Sequence, residues 1–162
     1  WDQAELVMIS KSGRGFTLSE LIITVAVVGI LAMTAMPMIE MTARRQKEVE
    51  LRAALREIRG GLDAYRRAVE EGKLDESGYP RRLEDLAKGV ENVQDPNKAK
   101  LYFLRRLPRD PFADDPALPA EMTWGKRSYA SPPDAPVEGA DVFDVYSLAK
   151  GVGLNGTPYR EW

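Results

Sequence analysis

The pattern of apolar and polar positions divides the chain into an uncharged first part and a charged remainder. From Leu21 to Ile39, nineteen consecutive residues carry no charge. As a helix this stretch rises about 28 Å, close to the roughly 30 Å thickness of a bilayer's hydrocarbon core. A small domain rarely needs a core helix that is apolar on every side. The pattern therefore predicts a transmembrane helix; the alternative is a central helix wrapped by the rest of the protein.

Beyond Glu40 the apolar positions recur at the spacing of an amphipathic helix. The intervals are four, three, four, three and four residues, at Leu51, Leu55, Ile58, Leu62, Tyr65 and Val69. We expect this seam to pack on the C-terminal part of the protein, with Arg, Glu and Lys on the opposite face. Gly60 and Gly61 favour a bend or close packing, and Gly72 is a stop. Residues 17–71 are thus predicted to form one bent helix about 80 Å long.

The remainder of the chain predicts a small head with little regular structure. Residues 79–88 place a proline near the start of a short helix, and residues 97–106 suggest another turn or two. The strand candidates are 122–124 and 127–130, which would form a hairpin around Gly125, and 142–148, which alternates best. The fold class expected from these patterns is α+β, a long N-terminal helix packed on a small antiparallel β-sheet.

The amino-acid composition excludes several kinds of catalytic and metal-binding chemistry. The chain has 162 residues with 23 basic and 25 acidic side chains, and a net charge of -2 gives no electrostatic case for nucleic acid. Histidine and cysteine are both absent. Their absence excludes Ser-His-Asp and Cys-His catalysis, His-ligated and thiolate metal sites, and disulfides. With no phosphate-binding G-x-x-x-x-G-K-[ST] loop either, we predict no catalytic residues and no enzyme activity.

The residues in front of the apolar stretch indicate what kind of membrane segment it is. A secretory signal peptide would have a small-residue cleavage site after its apolar run, and residues 37–41 offer none. A short basic segment instead precedes the string Gly15-Phe16-Thr17-Leu18-Ser19-Glu20. Met8 is a plausible true start, which would make residues 1–7 an upstream extension of the reading frame.

This string, followed by an apolar run, resembles the type IV prepilin signal. The resemblance implies that a membrane-bound prepilin peptidase cuts after Gly15 and methylates the new amino terminus at Phe16. It also matches Glu20 to the family's assembly carboxylate and Pro37 to its helix-bending proline, which lacks one backbone donor. The expected domains are a leader at 1–15, a transmembrane assembly helix at 16–39 and a periplasmic head at 40–162.

Glu20 has two interpretations. Thr17-Leu18-Ser19-Glu20 is a Ser/Thr-x-x-Glu capping box, in which the carboxylate satisfies a backbone donor at the start of the helix. A carboxylate among membrane helices also costs a few kcal/mol unless it finds a partner. The nearest cation is the amino terminus at Phe16, on the same or a neighbouring subunit. The resemblance implies the second role, assembly, and the two roles are compatible.

The distribution of basic residues disagrees with the orientation that the motif requires. Arg44, Arg45 and Lys47 follow the apolar stretch, whereas only Lys11 and Arg14 precede it closely. By the positive-inside rule the N-terminus would lie outside. The prepilin signal needs its leader in the cytoplasm, where the peptidase works. We follow the motif because it is the more specific of the two signals.

Three stretches of the head resemble the major pseudopilin, the G subunit, of type II secretion systems. They are Tyr79-Pro80 with Leu83 and Leu86, the run Leu107–Phe112, and Phe143–Ser147 before a glycine-rich loop. The resemblance implies an inner-membrane, homo-oligomeric filament that helps export folded proteins across the outer membrane. Its partners would be minor pseudopilins, the inner-membrane secretion platform, the prepilin peptidase and the lipid bilayer. The alternatives are a pilin of a type IV pilus or DNA-uptake filament, and a membrane-anchored enzyme or ligand-binding module.

Major pseudopilins that resemble this chain often hold calcium in a C-terminal loop. Calcium needs several oxygen ligands, yet the C-terminal loop here, Leu148–Tyr159, contains Lys150 and no acid. We therefore predict no calcium there, and no metal or cofactor elsewhere. Gly151–Gly156 matches the dinucleotide pattern G-x-G-x-x-G but lacks the helix and acidic residue that should follow. Asp114-Asp115 beside a proline indicates a solvated turn.

Overall fold

A computed structural model describes residues 15–76 and 78–162, with only the backbone described for residues 34–37. Within these residues the fold is α+β, as predicted. The elements are α1 (Leu18–Glu70), α2 (Asp85–Lys88), β1 (Val90–Glu91), β2 (Lys100–Leu101), β3 (Trp124–Arg127) and β4 (Asp144–Ser147), with 3₁₀ turns at Ala120–Thr123 and Tyr159–Glu161. Contacts within the molecule separate the chain up to Thr42 from a compact head that begins at Ala43.

The second half of α1 supplies one side of the head's core. Five of the six seam positions are almost fully buried, and Val69 is half-buried. They pack with apolar side chains from the rest of the head, namely Leu83, Leu86, Leu104, Trp124, Val142 and Val145. The prediction that the seam packs on the protein's own C-terminal part is confirmed. Each such large side chain contributes about 1.5–3 kcal/mol to folding when it leaves water.

Glycine ends α1. Gly72 has a φ of 71°, in the left-handed region that side chains with a Cβ rarely adopt. The Gly72 N–H donates to the Val69 carbonyl, and the Lys73 N–H donates to the Ala68 carbonyl, both at 2.9 Å. These two bonds form a Schellman motif, which satisfies carbonyls that the end of a helix would leave unpaired. The predicted stop at Gly72 is therefore confirmed.

The paired glycines in α1 have different roles. A Cβ at Gly61 would lie 3.1 Å from Leu104 Cδ2, whereas a Cβ at Gly60 would meet nothing within 4 Å. Gly61 therefore allows Leu104 to pack against the helix backbone. Close packing, one of the two effects expected of this pair, is what the structure shows at Gly61.

The head contains two antiparallel strand pairs. β1 pairs with β2, and β3 pairs with β4, with Trp124 opposite Ser147 and Gly125 opposite Tyr146. The strand predicted at 142–148 is confirmed over Asp144–Ser147. The predicted hairpin around Gly125 is wrong, because β3 runs straight through this glycine. A Cβ on Gly125 would lie 2.3 Å from the Tyr146 ring, so the glycine makes room for an aromatic side chain on the neighbouring strand.

Two helix predictions in the head also need correction. The helix expected over residues 79–88 ends at Lys88 but begins only at Asp85. Residues 97–106 form no helix and include β2 instead. The Phe103 and Leu104 N–H groups both donate to the Leu86 carbonyl at 2.9 Å, which holds this segment against α2. A tertiary hydrogen bond thus replaces the local bonds that a helix would have made.

Candidate functional site

The start of α1 is organised by a reciprocal cap. The Thr17 N–H donates to Glu20 Oε2 at 3.3 Å, and the Glu20 N–H donates to Thr17 Oγ1 at 3.2 Å. The capping box expected from Thr17-Leu18-Ser19-Glu20 is therefore present. The Thr17 hydroxyl also donates to the same carboxylate oxygen at 3.3 Å. Among the described residues, no donor lies at the other oxygen, Glu20 Oε1.

The residues at the predicted cleavage junction are open to solvent. Gly15 and Phe16 precede α1, and the Phe16 side chain is 81% exposed. A Cβ added to Gly15 would meet nothing within 4 Å. A glycine without steric neighbours fits a peptide bond that must enter a protease cleft. The leader residues Met8, Lys11 and Arg14 lie outside the described residues, so the proposed start and the leader charges stay predictions.

Between Leu21 and Met33 the helix presents apolar side chains on all sides. Nine large ones are exposed, namely Leu21, Ile22, Ile23, Val25, Val27, Val28, Ile30, Leu31 and Met33. α1 contains a segment long and apolar enough to cross a membrane, and none of that segment is buried within the protein. The alternative of a helix wrapped by its own protein does not match this exposure.

Thr24 is the polar side chain within this described apolar stretch. Its hydroxyl donates to the Glu20 and Leu21 carbonyls, both at 2.9 Å. The hydroxyl is therefore satisfied inside the helix, as a polar group must be if it is to lie in lipid. Pro37 lies within α1, with only its backbone described. The bend expected at Pro37 stays a prediction.

Sequence reasoning missed a second group of polar residues, at the beginning of the head. Glu48 was not singled out in the sequence, yet only 6% of it is exposed. Glu48 Oε1 accepts from the Leu154 N–H and the Tyr159 hydroxyl, each at 2.9 Å. Arg44 lies 3.6 Å from the same oxygen, one helical turn before it. The sequence spacing could have indicated this burial, because Glu48 precedes Leu51 by three residues and so continues the buried seam of α1.

Arg44 and Tyr159 complete this cluster. Arg44 Nε donates to the Tyr159 hydroxyl at 3.0 Å, and Arg44 Nη2 donates to the Val152 carbonyl. Burial raises the pKa of Tyr159, which keeps its hydroxyl protonated and able to donate to Glu48. The hydrogen bond to Tyr159 raises the pKa of Arg44, so the guanidinium stays charged. The cluster joins α1 to the C-terminal loop.

Further along α1, Arg59 binds the last strand and the final residue described. Its Nε donates to Asp144 Oδ1 at 2.8 Å, and its Nη2 donates to the Trp162 carbonyl at 2.8 Å. Arg52 lies over the Trp162 ring with its Cζ 4.2 Å from the ring centroid. A basic side chain over an aromatic face is an attractive arrangement. Side chains of α1 therefore hold the C-terminal segment at several points.

Acidic side chains elsewhere in the head stabilise turns. A surface cleft brings Asp110, Asp114 and Asp115 to one side of the molecule. The Asp110 carboxylate accepts from the Ser147 hydroxyl at 2.5 Å and from the Phe112 N–H at 2.8 Å. Asp115 accepts from the Ala117 N–H at 2.8 Å, in the turn that the sequence predicted. In the described parts of the chain, no three acidic side chains are grouped so that they could hold a metal ion.

The N-terminal part of the chain matches a family model, the prokaryotic N-terminal methylation motif, over residues 10–36. A prepilin-type motif that opens an exposed apolar helix, in a chain with a small α+β head, defines a type IV pilin-like protein.

Comparison with known relatives shows to which family within this class the chain belongs. The chain is 33% identical to type II secretion system core protein G of Klebsiella michiganensis, over 83% of this chain and 92% of the relative. It is 28% identical to the Dickeya chrysanthemi protein of the same name, over 91% and 95%, and 31% identical to that of Pseudomonas aeruginosa, over 87% and 86%. The chain belongs to the type II secretion system core protein G family, the major pseudopilins. No solved structure matches it significantly.

Proposed function

We propose that the chain is a structural subunit of a type II secretion pseudopilus, polymerised through the first part of α1. The observation that carries this proposal is the continuous apolar surface between Leu21 and Met33, in a chain of the core protein G family. Burying a large apolar side chain gains about 1.5–3 kcal/mol. Full burial of the nine exposed here would therefore be worth about 14–27 kcal/mol. Lipid and the helices of neighbouring subunits can both provide this burial.

Glu20 is proposed to set the register of each subunit against the next. The cap uses Glu20 Oε2, while Oε1 faces no donor among the described residues. Cleavage after Gly15 would create a positively charged amino group on Phe16, four residues before this carboxylate. A second subunit could bring that group to Oε1 without breaking the cap. Capping and assembly then use different oxygens of one carboxylate.

The proposed location is the inner membrane, crossed once by the apolar part of α1, with the head in the periplasm. This orientation places the leader in the cytoplasm with the prepilin peptidase. The chain would then meet minor pseudopilins and the secretion platform at the same membrane. We propose no catalytic activity, which agrees with relatives that carry the name of a secretion-system core protein.

Loss of the gene tests the function directly. In its own bacterium, deletion is expected to stop export of proteins by the type II pathway, leaving them in the periplasm, and a plasmid copy should restore export. Immunoblots of periplasm and medium provide the measurement. If export continues while surface pili or DNA uptake are lost, the chain is a pilin of one of those filaments and the proposal is wrong.

The absence of cysteine allows a direct test of orientation. The chain has none, so Glu138→Cys introduces a single thiol at an exposed position of the head. We expect a membrane-impermeant maleimide to label this variant once the outer membrane is permeabilised. The unmodified chain, which has no thiol, is the control. Labelling that appears only after the inner membrane is broken would place the head in the cytoplasm and contradict the proposal.

A further inference from the structure

We propose that two side chains of α1, Arg44 and Glu48, hold the C-terminal loop of this protein in place without a metal ion. In this arrangement the loop folds without calcium and depends on the charge of Glu48. The inference concerns the stability of the head and is independent of how the subunits polymerise.

The first argument comes from Glu48. A nearly buried carboxylate is costly unless donors surround it. Glu48 receives two donors from the C-terminal segment, the Leu154 N–H and the Tyr159 hydroxyl, and has Arg44 beside it at 3.6 Å. One helix side chain thus binds two points of the loop that are five residues apart. A bound cation could neutralise this carboxylate, but the Arg44 guanidinium already does so.

The second argument concerns the carbonyl oxygens of the loop, which are the other ligands a hard cation would need. The Val152 carbonyl accepts from Arg44. The Gly151 carbonyl accepts from the Tyr159 N–H at 3.2 Å, and the Gly153 carbonyl accepts from the Gly156 N–H at 2.9 Å. These oxygens face N–H donors, so a divalent cation would have to displace hydrogen bonds, one of them from a permanent positive charge.

Charge provides the third argument. Calcium sites gain affinity from the number of negatively charged ligands. Leu148–Tyr159 contains no acid and one base, Lys150, and beside it Arg44 and Glu48 contribute one charge of each sign. The residues present therefore do not fit calcium. They fit a loop whose backbone groups form hydrogen bonds with Arg44 and Glu48 of α1.

The geometry of α1 makes this arrangement possible. Arg44 and Glu48 are four residues apart and therefore lie on one face of the helix, so they approach the loop together. Tyr159 lies between them, accepts from Arg44 and donates to Glu48, and stacks on Phe112 with ring centroids 4.5 Å apart. The hydroxyl is thus held in place by packing on its ring. A rigid helix and a packed aromatic residue thus hold the loop in place, as a bound ion otherwise could.

Thermal unfolding of the full chain in detergent micelles tests the inference. The melting temperature is measured in EDTA, in millimolar calcium chloride and in millimolar magnesium chloride. We expect the same value in all three. Glu48→Gln should lower the melting temperature by on the order of 10 °C, because a neutral amide oxygen accepts more weakly than the buried carboxylate from the Leu154 N–H and the Tyr159 hydroxyl. The matched control is Glu50→Gln, which removes an exposed carboxylate two residues away and should change little.

Two results would overturn the inference. One is a rise in the melting temperature with calcium that magnesium does not reproduce. The other is a Glu48→Gln variant whose melting temperature equals that of the Glu50→Gln control. If Glu48→Gln does not fold, Tyr159→Phe is the variant to test, because it removes only the hydroxyl that bonds both Arg44 and Glu48. In this variant the amides of Gly153 and Leu154 should exchange hydrogen faster, while those of Leu55 and Ile58 do not change. If Gly153 and Leu154 stay as protected as in the unmodified chain, the inference is also refuted.

Discussion

Replacing Glu20 with alanine is expected to abolish filament assembly while the chain still inserts into the membrane. The apolar stretch that follows supplies the energy of insertion, and the substitution does not shorten it. What is lost is the carboxylate proposed to receive the amino terminus of a neighbouring subunit. An unpaired amino group among apolar helices would cost several kcal/mol for every subunit added. The measurement is electron microscopy of sheared filaments, with fractionation to show that the variant stays in the membrane.

Two further variants separate assembly from capping. Glu20→Gln keeps an acceptor that can complete the capping box but carries no charge. We expect it to fail in assembly as Glu20→Ala does. Glu40→Ala removes another exposed carboxylate from α1, beyond the apolar stretch, and should assemble normally. Normal filaments from Glu20→Gln would show that the cap alone is needed and would refute the pairing.

Gly15→Val is expected to leave the leader attached, so that the processed form that begins at Phe16 does not appear. The valine side chain would hinder entry of the bond into the peptidase. It should not disturb the fold, since a Cβ at Gly15 meets nothing within 4 Å. Uncleaved subunits have no free amino group at Phe16, so assembly should be lost as well. The intact mass of the membrane-bound protein measures the cleavage.

Gly29→Val is the matched control for this experiment. Gly29 lies in α1, and a Cβ there also meets nothing within 4 Å. The same substitution at this glycine should leave the leader cleaved as usual. If Gly15→Val is cleaved as efficiently as Gly29→Val, the junction lies elsewhere and the assignment of Phe16 as the methylated residue is wrong.

The long helix could be predicted from sequence because its signals repeat over many residues. The seam from Leu51 to Tyr65 sets a period that few other structures share, and Gly72 marks its end. The short strands were harder. Gly125 suggested a turn, but its lack of a side chain serves the ring of Tyr146, a residue 21 positions later. No local pattern contains that information.

The functional residues also divide into those that a local sequence pattern predicts and those that only the fold brings together. The string from Gly15 to Glu20 is contiguous, so its resemblance to a prepilin signal and its capping box were both visible in the sequence. Glu48 was missed because a charged residue on an amphipathic helix is usually solvated. Its partners, Leu154 and Tyr159, lie more than 100 residues away and have no motif of their own. Long-range pairing of this kind becomes visible only in the folded chain.

The distance along the chain between Glu48 and Tyr159 also has a consequence for how the head folds. The two residues are 111 positions apart, and contacts of such long range form late because a large loop must close first. A chain that crosses the membrane during synthesis exposes α1 well before Tyr159 has been made. The head therefore cannot close until Tyr159 has emerged. Closure of the C-terminal loop onto Glu48 is therefore possible only after synthesis has passed Tyr159, so the start of the head stays open while the residues between them are made.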